Sequence, residues 1–187
     1  MPLFSLVEFH DIDEVPVLVY TILRESWFST KSEVYMTIAF AGHATIPTSN
    51  RTKEIVKEQL RALIEESEST VCYLGFRGDF DRLCAYACRE LKQSYTGMEL
   101  VYVTPYRSLS EQRKIEELRR CGLCDTSVYP PLEAVPPRFA ISKRNEWMMK
   151  QADVIIVYVN RHYGGAYQSL RIAKSQKKRV INICELP

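Results

Sequence analysis

From Tyr35 onward the spacing of apolar and polar residues switches back and forth between short buried runs and helical periods. Residues 36–41 form an apolar run closed by Gly42, which predicts a buried strand. About residues 50–66, Ile55, Val56, Leu60, Leu63 and Ile64 fall on one side of an amphipathic helix. Residues 71–74 predict a second strand closed by Gly75. Residues 79–92 predict a second helix, with Leu83, Ala87 and Leu91 at helical spacing. A third strand spans 100–103 and stops before Pro105; a charged, exposed helix follows over 110–120, with Ser110 as its cap.

Residues 126–138 break the rhythm. Val128 and Tyr129 are compatible with a short strand, while Pro130-Pro131 and Pro136-Pro137 predict a rigid, largely extended loop. Helix 139–151, strand 153–159, helix 166–176 and strand 179–184 complete the alternation. The expected fold is α/β: a doubly wound, mainly parallel sheet flanked by helices. Residues 1–34 stand outside this rhythm as a short N-terminal appendage of unassigned role. Their apolar stretch from Val15 to Leu23, interrupted by Pro16, fits a packed helix or an edge strand equally.

Charge and cysteines narrow the class. The 187 residues carry 25 basic and 23 acidic side chains, so net charge alone does not indicate nucleic acid. The distribution is uneven: residues 138–187 hold 10 basic and 3 acidic groups. That excess is either a solvated face or a field for an anionic small molecule. Six cysteines without a signal-peptide pattern in the first residues predict free thiols in the cytoplasm, and no apolar run approaches the ~20 residues of a membrane helix. Cys121 and Cys124 have CxxC spacing but no second pair or nearby histidine, so no metal site is expected. Cys84 and Cys88, four apart, read as core packing.

Candidate chemistry gathers at three strand ends: Gly42-His43, Gly75-Phe-Arg77-Gly78-Asp79-Phe-Asp81, and Asn160-Arg161-His162-Tyr163-Gly164-Gly165. Ligands of doubly wound sheets bind at such ends, near a topological switch point. Gly164-Gly165 before a helix lets backbone N–H groups meet a phosphate, or simply makes a tight turn. Arg144 suits a bidentate phosphate or carboxylate contact, or a surface salt bridge; Asn145 suits a cap, a ligand contact or solvent. Asp79 is read as capping the second helix, with Asp81 beside it. His43 is an acid/base or ligand candidate, or a local hydrogen-bonding group; His162 is similar. The chain lacks a Walker A lysine motif, a GxGxxG opening its first helix and a GxSxG elbow, and no cofactor is expected.

At these residues the chain resembles the SLOG superfamily of Rossmann-like proteins, which takes in the DNA-processing protein DprA, YpsA-like proteins and LOG phosphoribohydrolases. The likeness is to the uncharacterised bacterial YpsA-like proteins, over about residues 36–184. It rests on Gly42-His43, on Gly75-x-x-Gly78-x-Phe80-Asp81, on the run from Val135 through Asn145, and on Gly164-Gly165. The resemblance implies a pocket for a nucleotide or nucleotide-derived phosphate ligand, lined by Gly42, His43, Gly75, Arg77, Gly78, Asp81, Arg144, Asn145, Gly164 and Gly165, and implies a homo-oligomer. The LOG enzymes need an arginine before the late strand, matched by Arg144, and a glutamate after the glycine turn. Here residues 164–173 contain no carboxylate, Ala166 replaces the usual threonine, and Ala44 replaces the arginine that often follows Gly-His. The expectation is therefore ligand binding without assigned catalysis. Phosphoribohydrolase-like turnover through Asp81 or His43 is the alternative, and DprA-like nucleic-acid binding a more distant one.

Overall fold

A computed structural model of the protein describes residues 35–47 and 49–186; the expected appendage at 1–34 lies outside them. Along the described chain run β1 (Tyr35–Gly42), α1 (Asn50–Glu65), β2 (Ser69–Leu74), α2 (Asp79–Lys92), β3 (Met98–Val103) and α3 (Leu109–Arg120). Next come β4 (Thr126–Val128), α4 (Ala140–Gln151), β5 (Val154–Tyr158), α5 (Gly164–Ser175) and β6 (Arg179–Asn182). The strands form one sheet in the order β4-β3-β2-β1-β5-β6, every neighbouring pair parallel. This is the doubly wound, Rossmann-like α/β architecture the alternation implied.

Strand side chains alternate between the two faces, and each face has its own core. Ile38 and Phe40 of β1, Cys72 and Leu74 of β2, and Leu100 and Tyr102 of β3 join Val56, Leu60 and Leu63 of α1 and Phe80, Cys84 and Cys88 of α2. On the opposite face, Ala39, Ala41, Tyr73, Val101, Ile155 and Val157 join Met148 and Met149 of α4 and Leu170 and Ala173 of α5. Both faces are covered, so the strands read as nearly continuous apolar runs. Cys72, Cys84, Cys88 and Cys124 are buried free thiols; Cys121 is exposed.

Several boundaries correct the sequence expectation. The third helix is capped by Ser108, whose Oγ accepts from Glu111 N–H at 3.3 Å; Ser110 instead hydrogen-bonds the Ser108 hydroxyl. Ser108 lies just outside the helix with extended backbone, where a cap must be. The proline-rich segment is not extended throughout, because Pro137–Phe139 makes a 3₁₀ turn leading into α4. Proline is tolerated at its first position since that N–H has no helical partner anyway. The last helix starts at Gly164, so both glycines belong to its first turn. The final strand ends at Asn182, and Ile183–Glu185 coil into a second 3₁₀ turn.

Candidate functional site

After β1 the chain steps outward to β2, β3 and β4, then crosses back to lay β5 on the other side of β1. The sheet order therefore reverses between β1 and β5, whose carboxyl ends send loops to opposite faces. A cavity of about 400 Å³ opens there, within the size range of small-molecule sites. Gly42, His43, Gly75, Arg77, Asp81, Asn145, Gly164 and Gly165 all line it. Arg144 and Gly78 do not.

His43 ties the two central strand ends together. Its N–H donates to Tyr158 O, and its Nε2 accepts from Asn160 N–H, each at 3.3 Å. An accepting Nε2 assigns the proton to Nδ1 and makes the ring neutral. Burial, and secondarily the nearby Arg161 charge, lower its pKa from the usual histidine value.

The loop after β2 encloses Asp81, the one carboxylate on the cavity wall among the described residues. Its Oδ2 accepts from Arg77 N–H at 2.8 Å. Burial raises its pKa from 3.8 to about 6, although the Arg77 N–H bond and the charges of Arg144 and Arg82 pull the other way. Asp79 is not a helix cap here: Gly78 occupies the cap position, while Asp79 pairs with Arg82 and accepts weakly from Ile46 N–H at 3.4 Å. Gly78 has φ +104°, and a Cβ on it would lie 2.6 Å from the Ala44 Cα. Only glycine lets this loop rest against the one after β1. Phe76 also has positive φ, +51°, with its ring edge-on to Tyr102 at 5.4 Å.

Arg144 departs from both sequence readings. It has no exposed surface and is neither a surface ion-pair partner nor part of the cavity wall. Its Nη1 donates to Val103 O at 3.1 Å. Among the described residues, its Nε and Nη2 meet no acceptor. Burial lowers its pKa, and the Asp81 charge opposes that shift. A Cβ on Gly75 would stand 2.5 Å from Arg144 Nη1 and 2.8 Å from Asp81 Oδ2. The glycine thus makes room for the buried Arg144 guanidinium and for the Asp81 carboxylate on the cavity wall.

The start of α5 forms the opposite wall. Tyr163 precedes it with extended backbone and no side-chain cap bond, and the first turn has no acidic side chain. Gly164 and Gly165 face open space: a Cβ on either would meet nothing within 4 Å. Uncapped first-turn N–H groups and the positive end of the helix dipole favour an anion. His162 turns away from the cavity wall and packs edge-on against Tyr167 at 5.4 Å.

Sequence reasoning placed Arg161 and Tyr163 in a candidate strand end without giving them a role, and did not select Ser169; all three line the cavity. Arg161 and Tyr163 flank His162 in the loop between β5 and the glycines, and that position was the available signal. Ser169, one turn into α5 with its hydroxyl on Gly165 O at 3.1 Å, carried none. Among the described residues no group of three metal-ligating side chains gathers, and no helix is long and apolar enough to cross a membrane.

No family model matches the sequence, and no curated protein matches it. Solved structures do. DprA from Streptococcus pneumoniae superposes with a TM-score of 0.53 at 15% identity, covering 78% of this chain and 49% of that one. DprA from Helicobacter pylori, described for its single-stranded DNA binding mode, gives 0.52 at 14% identity over 79% and 64%. The molybdenum cofactor carrier protein from Chlamydomonas reinhardtii gives 0.48 at 15% identity over 78% and 74%. This chain spans about half of one DprA and under two thirds of the other. At such identity the DprA likeness is one of fold, and that fold is the Rossmann-like one implied by the SLOG resemblance.

Proposed function

We propose that this is a SLOG-type protein of the YpsA-like kind that binds a nucleotide or nucleotide-derived phosphate ligand between the ends of β1 and β5. The observation that carries the reading is the uncapped, glycine-opened start of α5 facing a small-molecule-sized cavity at the topological switch point. In this reading the first-turn N–H groups hold the phosphate, and Arg77 and Arg161 supply positive potential from the rim. Arg144 acts from below as a buried cation rather than as a direct clamp. Asn145 and Asp81 face the remainder of the ligand. The protein works in the cytoplasm.

Thermal shift against nucleoside mono-, di- and triphosphates and dinucleotides tests the proposal, because a ligand bound only to the folded state stabilises it by mass action. At least one phosphorylated nucleoside raises the melting temperature. No shift across the panel at millimolar concentration removes the reading. Among the described residues, Asp81 is the carboxylate on which turnover would rest; free-base release from nucleoside monophosphates that disappears in Asp81→Asn would add hydrolysis to binding.

One observation favours a second reading, single-stranded nucleic acid. Arg77 lies over Tyr106, Arg107 over Tyr129, Arg138 over Phe139 and Arg161 over Tyr163, with centroid distances from 4.8 to 6.0 Å. All these residues stand in segments that follow β2, β3, β4 or β5, on the same sheet edge. Cationic groups interleaved with rings are the pattern that tracks a phosphate backbone and stacks its bases. Fluorescence anisotropy with a labelled oligonucleotide separates the readings: affinity that falls steeply with salt, and falls again in an Arg77, Arg107 and Arg161 triple alanine variant, supports the nucleic-acid partner.

A further inference from the structure

We infer that Arg161 and Tyr163 form a clamp for the aromatic base of the ligand, so that the site selects a nucleotide over a sugar phosphate; the inference rests on the phosphate reading above. Both residues line the cavity, on the short loop that delivers the chain into Gly164. Among the described residues the cavity wall contains three aromatic rings, Phe40, His43 and Tyr163. Phe40 is 4% exposed and His43 is 9% exposed and held by Asn160 N–H; Tyr163 is 68% exposed, so only its ring presents an open face.

The Arg161 guanidinium stands 6.0 Å from the Tyr163 ring centroid, much as Arg77 stands 5.9 Å from that of Tyr106, whereas Lys114 on Tyr102, Arg138 on Phe139, Arg89 on Tyr86 and Arg107 on Tyr129 lie closer, at 4.6–5.1 Å. Stacked planar groups lie about 3.4 Å apart, as successive bases do along a strand. A base between two such groups needs about twice that spacing, so the guanidinium and the ring part to admit it. The guanidinium then covers one face of the base and the phenol ring the other. Because Tyr163 immediately precedes the phosphate-facing glycines, one ligand spans both features only if base and phosphate are joined by a short linker such as ribose.

Isothermal titration of the full chain with the four ribonucleoside 5′-monophosphates, ribose 5-phosphate and inorganic phosphate tests this. The wild type is expected to bind at least one monophosphate ten-fold or more tighter than ribose 5-phosphate. Tyr163→Ala erases that margin while leaving ribose 5-phosphate affinity unchanged; Tyr163→Phe retains it, and Arg161→Leu reduces it. With most of its surface in solvent, Tyr163 can be truncated without unfolding the protein, which circular dichroism verifies. Equal wild-type affinity for nucleotide and ribose 5-phosphate, or a margin that survives in Tyr163→Ala, overturns the clamp and leaves phosphate binding standing. Absence of binding to all of these probes overturns both.

Discussion

Gly165→Ala separates the fold from the site. The residue lies in the first turn of α5 without a left-handed φ, and a Cβ there would meet no atom within 4 Å. Alanine therefore adds no clash, and it removes backbone freedom from the unfolded chain. Such replacements stabilise by about 0.4–1 kcal/mol. For a chain of this size that raises the melting temperature by roughly 1–4 °C. The ligand meets the opposite consequence. A phosphate oxygen bound to a backbone N–H sits about 2.9 Å from the nitrogen, whereas a methyl carbon tolerates neighbours only at about 3.5 Å or beyond. The new methyl pushes the anion off the helix end. Each charge-assisted bond lost is worth about 1.5–3 kcal/mol, roughly a ten- to hundred-fold loss of affinity. Urea denaturation measures the first effect, and titration with the best-binding nucleotide measures the second. Two results refute the reasoning: destabilisation by more than about 1 kcal/mol, which denies the open geometry, or wild-type affinity in a stable variant, which denies the phosphate position.

Gly78→Ala combines a φ of +104° with a contact to the Ala44 backbone that cannot yield, and is expected to lower unfolding free energy by at least ~2 kcal/mol in urea melts. Arg144→Ala leaves a cavity and removes one of the charges that favour the ionised Asp81, so a loss of about 2–5 kcal/mol at pH 7 is expected. The loss shrinks below pH 5, where Asp81 is protonated; a loss independent of pH argues that the two do not interact. Asp81 itself holds its proton more tightly folded than unfolded, with pKa about 6 against 3.8. Its contribution to stability is fullest below pH 3.8 and declines as pH rises through about 6. That difference amounts to about 3 kcal/mol, and Asp81→Asn should remove this part of the pH–stability profile measured by denaturation.

The alternation of apolar runs and helical periods was enough to identify the parallel sheet, because strands buried on both faces cannot hide their composition. The residues converging at the sheet edge were also legible: strand-end glycines mark where backbone must turn, and a parallel sheet puts all such turns on one side. Burial of Arg144 was not legible, since nothing in its local sequence distinguishes a helical arginine facing water from one beneath Gly75. The role of Asp79 was missed for a related reason, because its partner Ile46 belongs to a loop 33 positions earlier. Ser110 was mistaken for the cap because two serines stand two residues apart and backbone conformation, not composition, chooses between them.

The placement of β5 beside β1 bears on how the crevice forms. The two strand starts are stitched by Asp153 Oδ2 accepting from Thr37 N–H at 2.8 Å, across 116 positions of chain. The β1–β2 pair joins neighbouring segments of the chain, but the crevice has only one wall until this distant closure occurs. Closing long loops is entropically costly and slows folding. On the proposed function, the ligand site is complete only once this long-range pairing is made. On that function, a stopped-flow signal from bound nucleotide would report the pairing of β5 with β1.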